Sequence, residues 1–121
     1  MSEESTTTTA TTTTPRRFIF PRWANYALPA IVAAVGNKAT ILLDSGVRSG
    51  QDVMRALALG ANAAFAGKSF LWAVGALGDE GPDHLIDLYI QELRASLGQI
   101  GALSIADARK AKILHPTAIK F

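Results

Sequence analysis

Cysteine is absent from the 121-residue chain, which excludes disulfides and thiolate metal sites and suits a reducing compartment. No run of about 18 apolar residues occurs, so a transmembrane helix is not expected. The start Met1-Ser2-Glu3-Glu4 is acidic and passes into threonines, unlike a secretory leader. A cytoplasmic protein is expected, with attachment at a membrane periphery left open. Neither sign of charge is in large excess: 12 basic against 10 acidic residues leave a net charge of +2. That field is too weak for a nucleic-acid binder. Histidine is scarce, only His84 and His115, both in the C-terminal third.

Apolar residues, by contrast, make up 49% of the chain. One small domain has trouble covering that much apolar surface, so a partner chain, a homo-oligomer or a further portion of domain is expected to cover part of it. Residues 1–26 contribute little. Residues 5–14 are nine Ser/Thr and one Ala, followed by Pro15, a low-complexity run that predicts disorder. Residues 16–26 mix arginine with aromatics at no clear period and read as a linker, in preference to a nucleic-acid or membrane patch. The folded domain is therefore placed at 27–121.

From Ala27 the pattern changes. Leu28, Ile31, Val32 and Val35 recur at helical spacing, with Pro29 suited to a first turn and Gly36 to the residue after a helix end. Ala39–Leu43 is apolar without alternation, as in a parallel strand covered on both faces. A helix follows from Ser49 or Gly50, with Asp52 in its first turn and Val53, Met54, Leu57 and Ala58 inward, ending at Gly60. Ala63–Ala66 reads as a second short strand. Residues 69–78 form a short apolar helix, and Gly81-Pro82-Asp83 opens a longer one with Leu85, Ile86, Leu88, Tyr89, Leu93 and Leu97 on its apolar face. Ser104 and Asp107 cap a last helix, Ala106–Ile113, which His115-Pro116 ends. Helices alternating with short apolar strands predict parallel strands in an α/β fold.

The chemistry sits between the first strand and the next helix, in Asp44-Ser45-Gly46-Val47-Arg48-Ser49-Gly50. A Gly-rich turn lets backbone N–H groups converge, a helix N-terminus adds partial positive charge, and an arginine closes on an anion with a forked donor. Gly67-Lys68 repeats the arrangement after the second strand. The simpler reading of Asp44, a turn residue ending a strand, is weakened by Arg48 and Gly67-Lys68. Elsewhere the simpler readings lead. His84 is read as a surface residue and Asp79, Glu80 and Asp83 as a solvated loop with a cap. Arg109, Lys110 and Lys112 are read as a solvated helix face. Phe70, Leu71 and Trp72 pack as helix residues in preference to touching a flavin.

Two such turns at the C-terminal ends of adjacent parallel strands match the phosphate site of a TIM (β/α)₈ barrel, built by the loops after strands 7 and 8. Leu28-Pro29-Ala30-Ile31-Val32, LLDSGVRSGQDVMRALALGA at 42–61, and Phe65-Ala66-Gly67-Lys68 resemble the C-terminal part of the FMN-dependent α-hydroxy-acid dehydrogenases and oxidases, the family of L-lactate dehydrogenase and glycolate oxidase. The resemblance runs from about Ala27 to the end. It implies a fragment carrying strands 7 and 8 with their helices, and FMN as cofactor. It further implies that Asp44, Ser45, Gly46, Val47 and Arg48 line the phosphate and ribityl chain, with Gly67 and Lys68 completing the phosphate site. Arginine is usual in the family where Lys68 stands, so the charge is kept and the planar fork is lost. The family also places a His-Gly-x-Arg segment, bearing its base and a substrate-carboxylate arginine, just before the position of Leu28-Pro29. Residues 17–26 contain no histidine. No catalytic residue is therefore assigned, and turnover of a small 2-hydroxy acid is expected only when the missing part of the barrel is supplied. Two alternatives stand beside this reading: a non-catalytic phosphate- or nucleotide-binding subunit completing a barrel with a partner chain, and a truncated gene product without function.

Overall fold

The computed structural model describes residues 6–10 and 23–111. They form a three-stranded parallel sheet of order β1-β2-β3, from β1 (Thr6–Ala10), β2 (Ala39–Leu43) and β3 (Ala63–Ala64). Between and after the strands lie α1 (Trp23–Val35), α2 (Gly50–Ala58), α3 (Lys68–Leu77), α4 (Gly81–Gln99) and α5 (Ile105–Ala108). The register pairs Thr6 with Ala39 through Ala10 with Leu43, and Leu42 and Leu43 with Ala63 and Ala64. Among the described residues no helix is long and apolar enough to cross a membrane.

The threonine run departs from the disorder expected for residues 5–14: five of its residues form β1. Two physical reasons favour this. Threonine is β-branched and suits extended backbone, and β2 would otherwise present an unpaired ladder on that side. The helix after it also begins before the expected boundary at Ala27, at Trp23, which puts Pro29 inside the helix. Proline removes an amide donor and crowds the carbonyl four residues back, at about 3 kcal/mol in a helix interior. Burial opposes that penalty. Leu28 is fully buried, and Ile31, Val32 and Val35 pack against the same core as Ile41, Leu43, Val47, Ala56 and Ala61. Each large apolar side chain removed from water contributes about 1.5–3 kcal/mol.

β2 has the bounds its composition predicts. β3 is shorter than Ala63–Ala66, but the ladder continues past its ends. Asn62 donates its amide to the Ile41 carbonyl at 2.7 Å and accepts from the Ile41 amide on Oδ1 at 2.8 Å. Phe65 donates to the Leu43 carbonyl at 2.8 Å. At α2, Ser49 is the N-cap and its Oγ accepts from the Asp52 amide, as expected.

The start of α2 is seated on α4. The Gly50 amide donates to Glu92 Oε2 at 2.6 Å, and a Cβ on Gly50 would collide with the Tyr89 carbonyl and the Leu93 amide. Neither obstacle is the tip of a flexible side chain, so backbone would have to move. At the other end of α2, Arg109 donates from Nε to the Leu57 carbonyl at 3.3 Å and from Nη2 to the Ala61 carbonyl at 3.0 Å. Arg109 is exposed, as a solvated face requires, and its guanidinium in addition closes carbonyls at the end of α2. Lys110 is exposed and pairs with Asp107, while Lys112, His115 and Pro116 lie outside the described residues. Ser104 caps α5 as expected, accepting from the Asp107 amide at 3.1 Å and donating to Asp107 Oδ2 at 2.7 Å.

Gly50→Ala is expected to destabilise the chain by about 2 kcal/mol or more, because overpacking here meets backbone; the urea midpoint measures it. Glu92→Ala, which removes an N-terminal acceptor and leaves space intact, is expected to cost about 1 kcal/mol by the same measurement. The Ser104 hydroxyl, followed by Lys110, holds the Asp107 carboxyl below its ordinary value. A depressed folded value stabilises the cap above the unfolded value and is lost as pH falls through the folded one. Amide exchange at Ala108 and Arg109 is therefore expected to accelerate in acid ahead of that of α2.

Candidate functional site

The sheet delivers two loops to one end. Leaving β2, the chain turns sharply: Ser45 has φ of 92° and Gly46 of 82°. Left-handed backbone is strained for serine and free for glycine. The Asp44 side chain supports the turn by accepting the Ser45 amide on Oδ1 at 2.7 Å. Asp52 accepts the Arg48 amide on Oδ2 at 3.2 Å. Val47 is buried beneath, anchoring the loop in the core. After β3, Phe65 and Ala66 lead to Gly67 and the start of α3.

Asp44, Ser45, Gly46, Val47, Arg48, Gly67 and Lys68 line a single cavity of about 200 Å³, together with Phe65. All seven residues singled out in the sequence meet there. Phe65 was missed; its signal was an aromatic at a strand exit two residues before a Gly-Lys pair. The cavity is smaller than a typical pocket for a whole drug-sized ligand. It has room for the anionic end of one.

The two helices starting here are in different electrostatic states. The first amides of α2 are engaged internally: Gly50 by Glu92, and Asp52 by the Ser49 hydroxyl and carbonyl. No side chain caps α3, whose N-cap is Gly67. Gly67 and Lys68, at its start, line the cavity, and the amides of Gly46, Val47 and Lys68 donate to no acceptor among the described residues. The free helix N-terminus at this site is thus that of α3, in place of the helix after Asp44–Gly50 that the motif suggested. Arg48 and Lys68 add two cationic side chains, and both residues are exposed. Free amides, a helix N-terminus and two cations form a receptor for a phosphate-like dianion.

The remaining candidates lie elsewhere. His84 is exposed on α4 and does not line the cavity, as its surface reading requires. Leu71 and Trp72, expected to pack, are 73% and 56% exposed. The Arg48 guanidinium carbon sits over the Trp72 ring, 5.3 Å from its centroid. A more open cleft of about 850 Å³ lies at the opposite ends of the strands, bordered by Lys38 and Arg109. Arg109 is already bonded to main-chain carbonyls there, and no helix starts at that end of β2 and β3.

Comparison with known proteins identifies the family. The model of the family described as FMN-dependent dehydrogenase matches residues 23–115. The L-lactate dehydrogenase of Bartonella tribocorum is 43% identical over 94 residues, which are 78% of this chain and 24% of that protein. A pre-mycofactocin synthase of Mycobacterium tuberculosis is 42% identical over 91 residues, 75% of this chain and 23% of that one. A mandelate oxidase solved with a monooxide FMN adduct superposes with a TM-score of 0.67 at 41% identity, covering 71% of this chain and 27% of the other. The chain spans about a quarter of the length of the relatives it matches. β2, α2, β3 and the helices after them correspond to a C-terminal portion of the (β/α)₈ barrel of these flavoenzymes. On the match to residues 23–115 and the identity to its relatives, the chain belongs to the FMN-dependent dehydrogenase family.

Proposed function

We propose that this chain holds the phosphate end of FMN, as the cofactor-anchoring portion of an enzyme that oxidises a small 2-hydroxy acid such as lactate to the 2-oxo acid. The observation that carries this reading is the single cavity in which both Gly-rich turns, Arg48, Lys68 and the uncapped start of α3 converge. The residues fit the group. The left-handed turn at Ser45 and Gly46 leaves the Gly46 and Val47 amides free, and a dianion there would face two cations. In this reading Arg48 and Lys68 bind phosphate oxygens, the amides of Gly46, Val47 and Lys68 complete the shell, and Asp44 accepts from a ribityl hydroxyl. Bound FMN would supply the two-electron chemistry that side chains lack.

The same cavity says what the chain does not contribute. Among the described residues no histidine lines it, so a base and a substrate-carboxylate group must come from elsewhere in a complete barrel. One further observation favours completion by other barrel strands. Phe65, Leu71, Trp72, Val74 and Leu77 are exposed around α3, and β3 is an edge of the sheet. Apolar surface of this kind beside an edge strand calls for a protein cover.

Titration of the purified chain with FMN is expected to show binding that riboflavin, lacking the phosphate, matches only weakly. Arg48→Gln should weaken FMN by about tenfold or more, the scale of a charge-assisted hydrogen bond, and leave riboflavin unaffected. Equal affinities for FMN and riboflavin would count against the cradle. Lys68→Arg, which restores a planar fork, is expected to tighten FMN a few-fold. The chain alone should not reduce FMN with L-lactate. Addition of a polypeptide carrying the first six barrel strands of a relative should restore that reduction, followed by loss of flavin absorbance.

A further inference from the structure

Trp72 has no role in the reading above, yet its ring lies against the Arg48 guanidinium. α3 begins at Lys68, so Lys68 and Trp72 stand one turn apart on the same face of the helix. Across from that face, Arg48 leaves the β2 loop and places its guanidinium carbon 5.3 Å from the Trp72 ring centroid. That is within the range of a cation–π attraction, and tryptophan is the best aromatic partner.

What Arg48 lacks is as informative. The ion pairs among the described residues are Arg55 with Asp52 and Lys110 with Asp107, and Arg48 is in neither. Asp52, four residues away, is taken by the Arg48 amide and the Arg55 guanidinium. The Arg48 side chain donates to no acceptor among the described residues. A carboxylate partner would hold an arginine in place but would also neutralise it and occupy its forked N–H groups. An aromatic face attracts the positive charge and leaves those donors available.

We propose that Trp72 is a positioning residue, holding the Arg48 guanidinium at the rim of the cavity, charged and with its donors free for a phosphate. The proposal rests on the cradle reading. It deepens that reading by naming what orders the exposed arginine before the anion arrives. Without the ring, Arg48 is a long exposed side chain that must lose its rotamer freedom on binding.

The test is a double-substitution cycle on the full chain, read as the affinity for FMN with riboflavin as the phosphate-free control. Trp72→Leu is expected to weaken FMN by about two- to fivefold, the scale of an exposed cation–π contact, with riboflavin unchanged. Trp72→Phe should recover most of the loss. In an Arg48→Met background, Trp72→Leu should have no further effect on FMN. Additive losses, or an equal loss for riboflavin, would overturn the proposal, the latter by marking Trp72 as a flavin contact. Should the unsubstituted chain bind no FMN, the cradle reading fails, and positioning is decided separately by Trp72 fluorescence in a Trp23→Phe background. Emission that changes on Arg48→Met, and on titration with inorganic phosphate only while Arg48 is present, supports positioning. Emission indifferent to both overturns it.

Discussion

The carboxylate of Glu92 closing on the Gly50 amide fixes the start of α2 against α4 beside the cavity. Two helices start beside the same cavity, and each would offer a partial positive charge to an anion. One of them is answered from within the fold. With α2 seated on α4 and its first amide engaged, the anion-receptive end is left to α3. Gly50 makes this close approach feasible, because any side chain would meet the main chain of α4. The packing of a helix pair thereby decides which helix start beside the cavity is engaged within the fold. The β2 loop keeps its share through side chains and turn amides, and the β3 loop adds the helix dipole.

Much of this was legible in the sequence because local rules and tertiary demands agreed. Ile41, Leu42 and Leu43 form a strand whose one face, Ile41 and Leu43, is buried in the core and whose other, with Leu42, is half-buried. Ser49 and Ser104 cap helices because a hydroxyl reaches the amide three residues on. The seven cavity residues were identifiable because glycine and cation spacing carries its own geometry. The failures share a cause in non-local contact. Pro29 looked like a helix start, but six residues before it are helical, and burial of Leu28 outweighs the proline. Arg109 is exposed as read, but its partners, carbonyls 48 and 52 positions earlier, left no local trace. The pairing of Gly50 with Glu92 spans 42 positions and has no signature in either segment.

The apolar surplus noted in the composition is located by the structure. Leu71, Trp72, Val74 and Leu77 on α3, and Ile86, Leu88 and Ile90 on α4, are exposed, although periodicity had set Ile86 and Leu88 facing inward. α4 turns Leu85, Tyr89, Leu93 and Leu97 inward and leaves the rest of its broad apolar stripe in solvent. A helix apolar over more than one face suits a position between two packing partners. The described residues supply one of those partners.

β1 sets a different kind of constraint. Its five residues answer the edge of β2 through the main chain, and the main chain is common to every sequence that can extend. A sheet edge of this sort recognises conformation before it recognises chemistry, so a low-complexity run can occupy a lane of the sheet without any history of belonging there. The boundary at which this family's barrel can be joined to unrelated sequence is thereby widened. The joint has only to be straight, β-branched and in step with Ala39–Leu43.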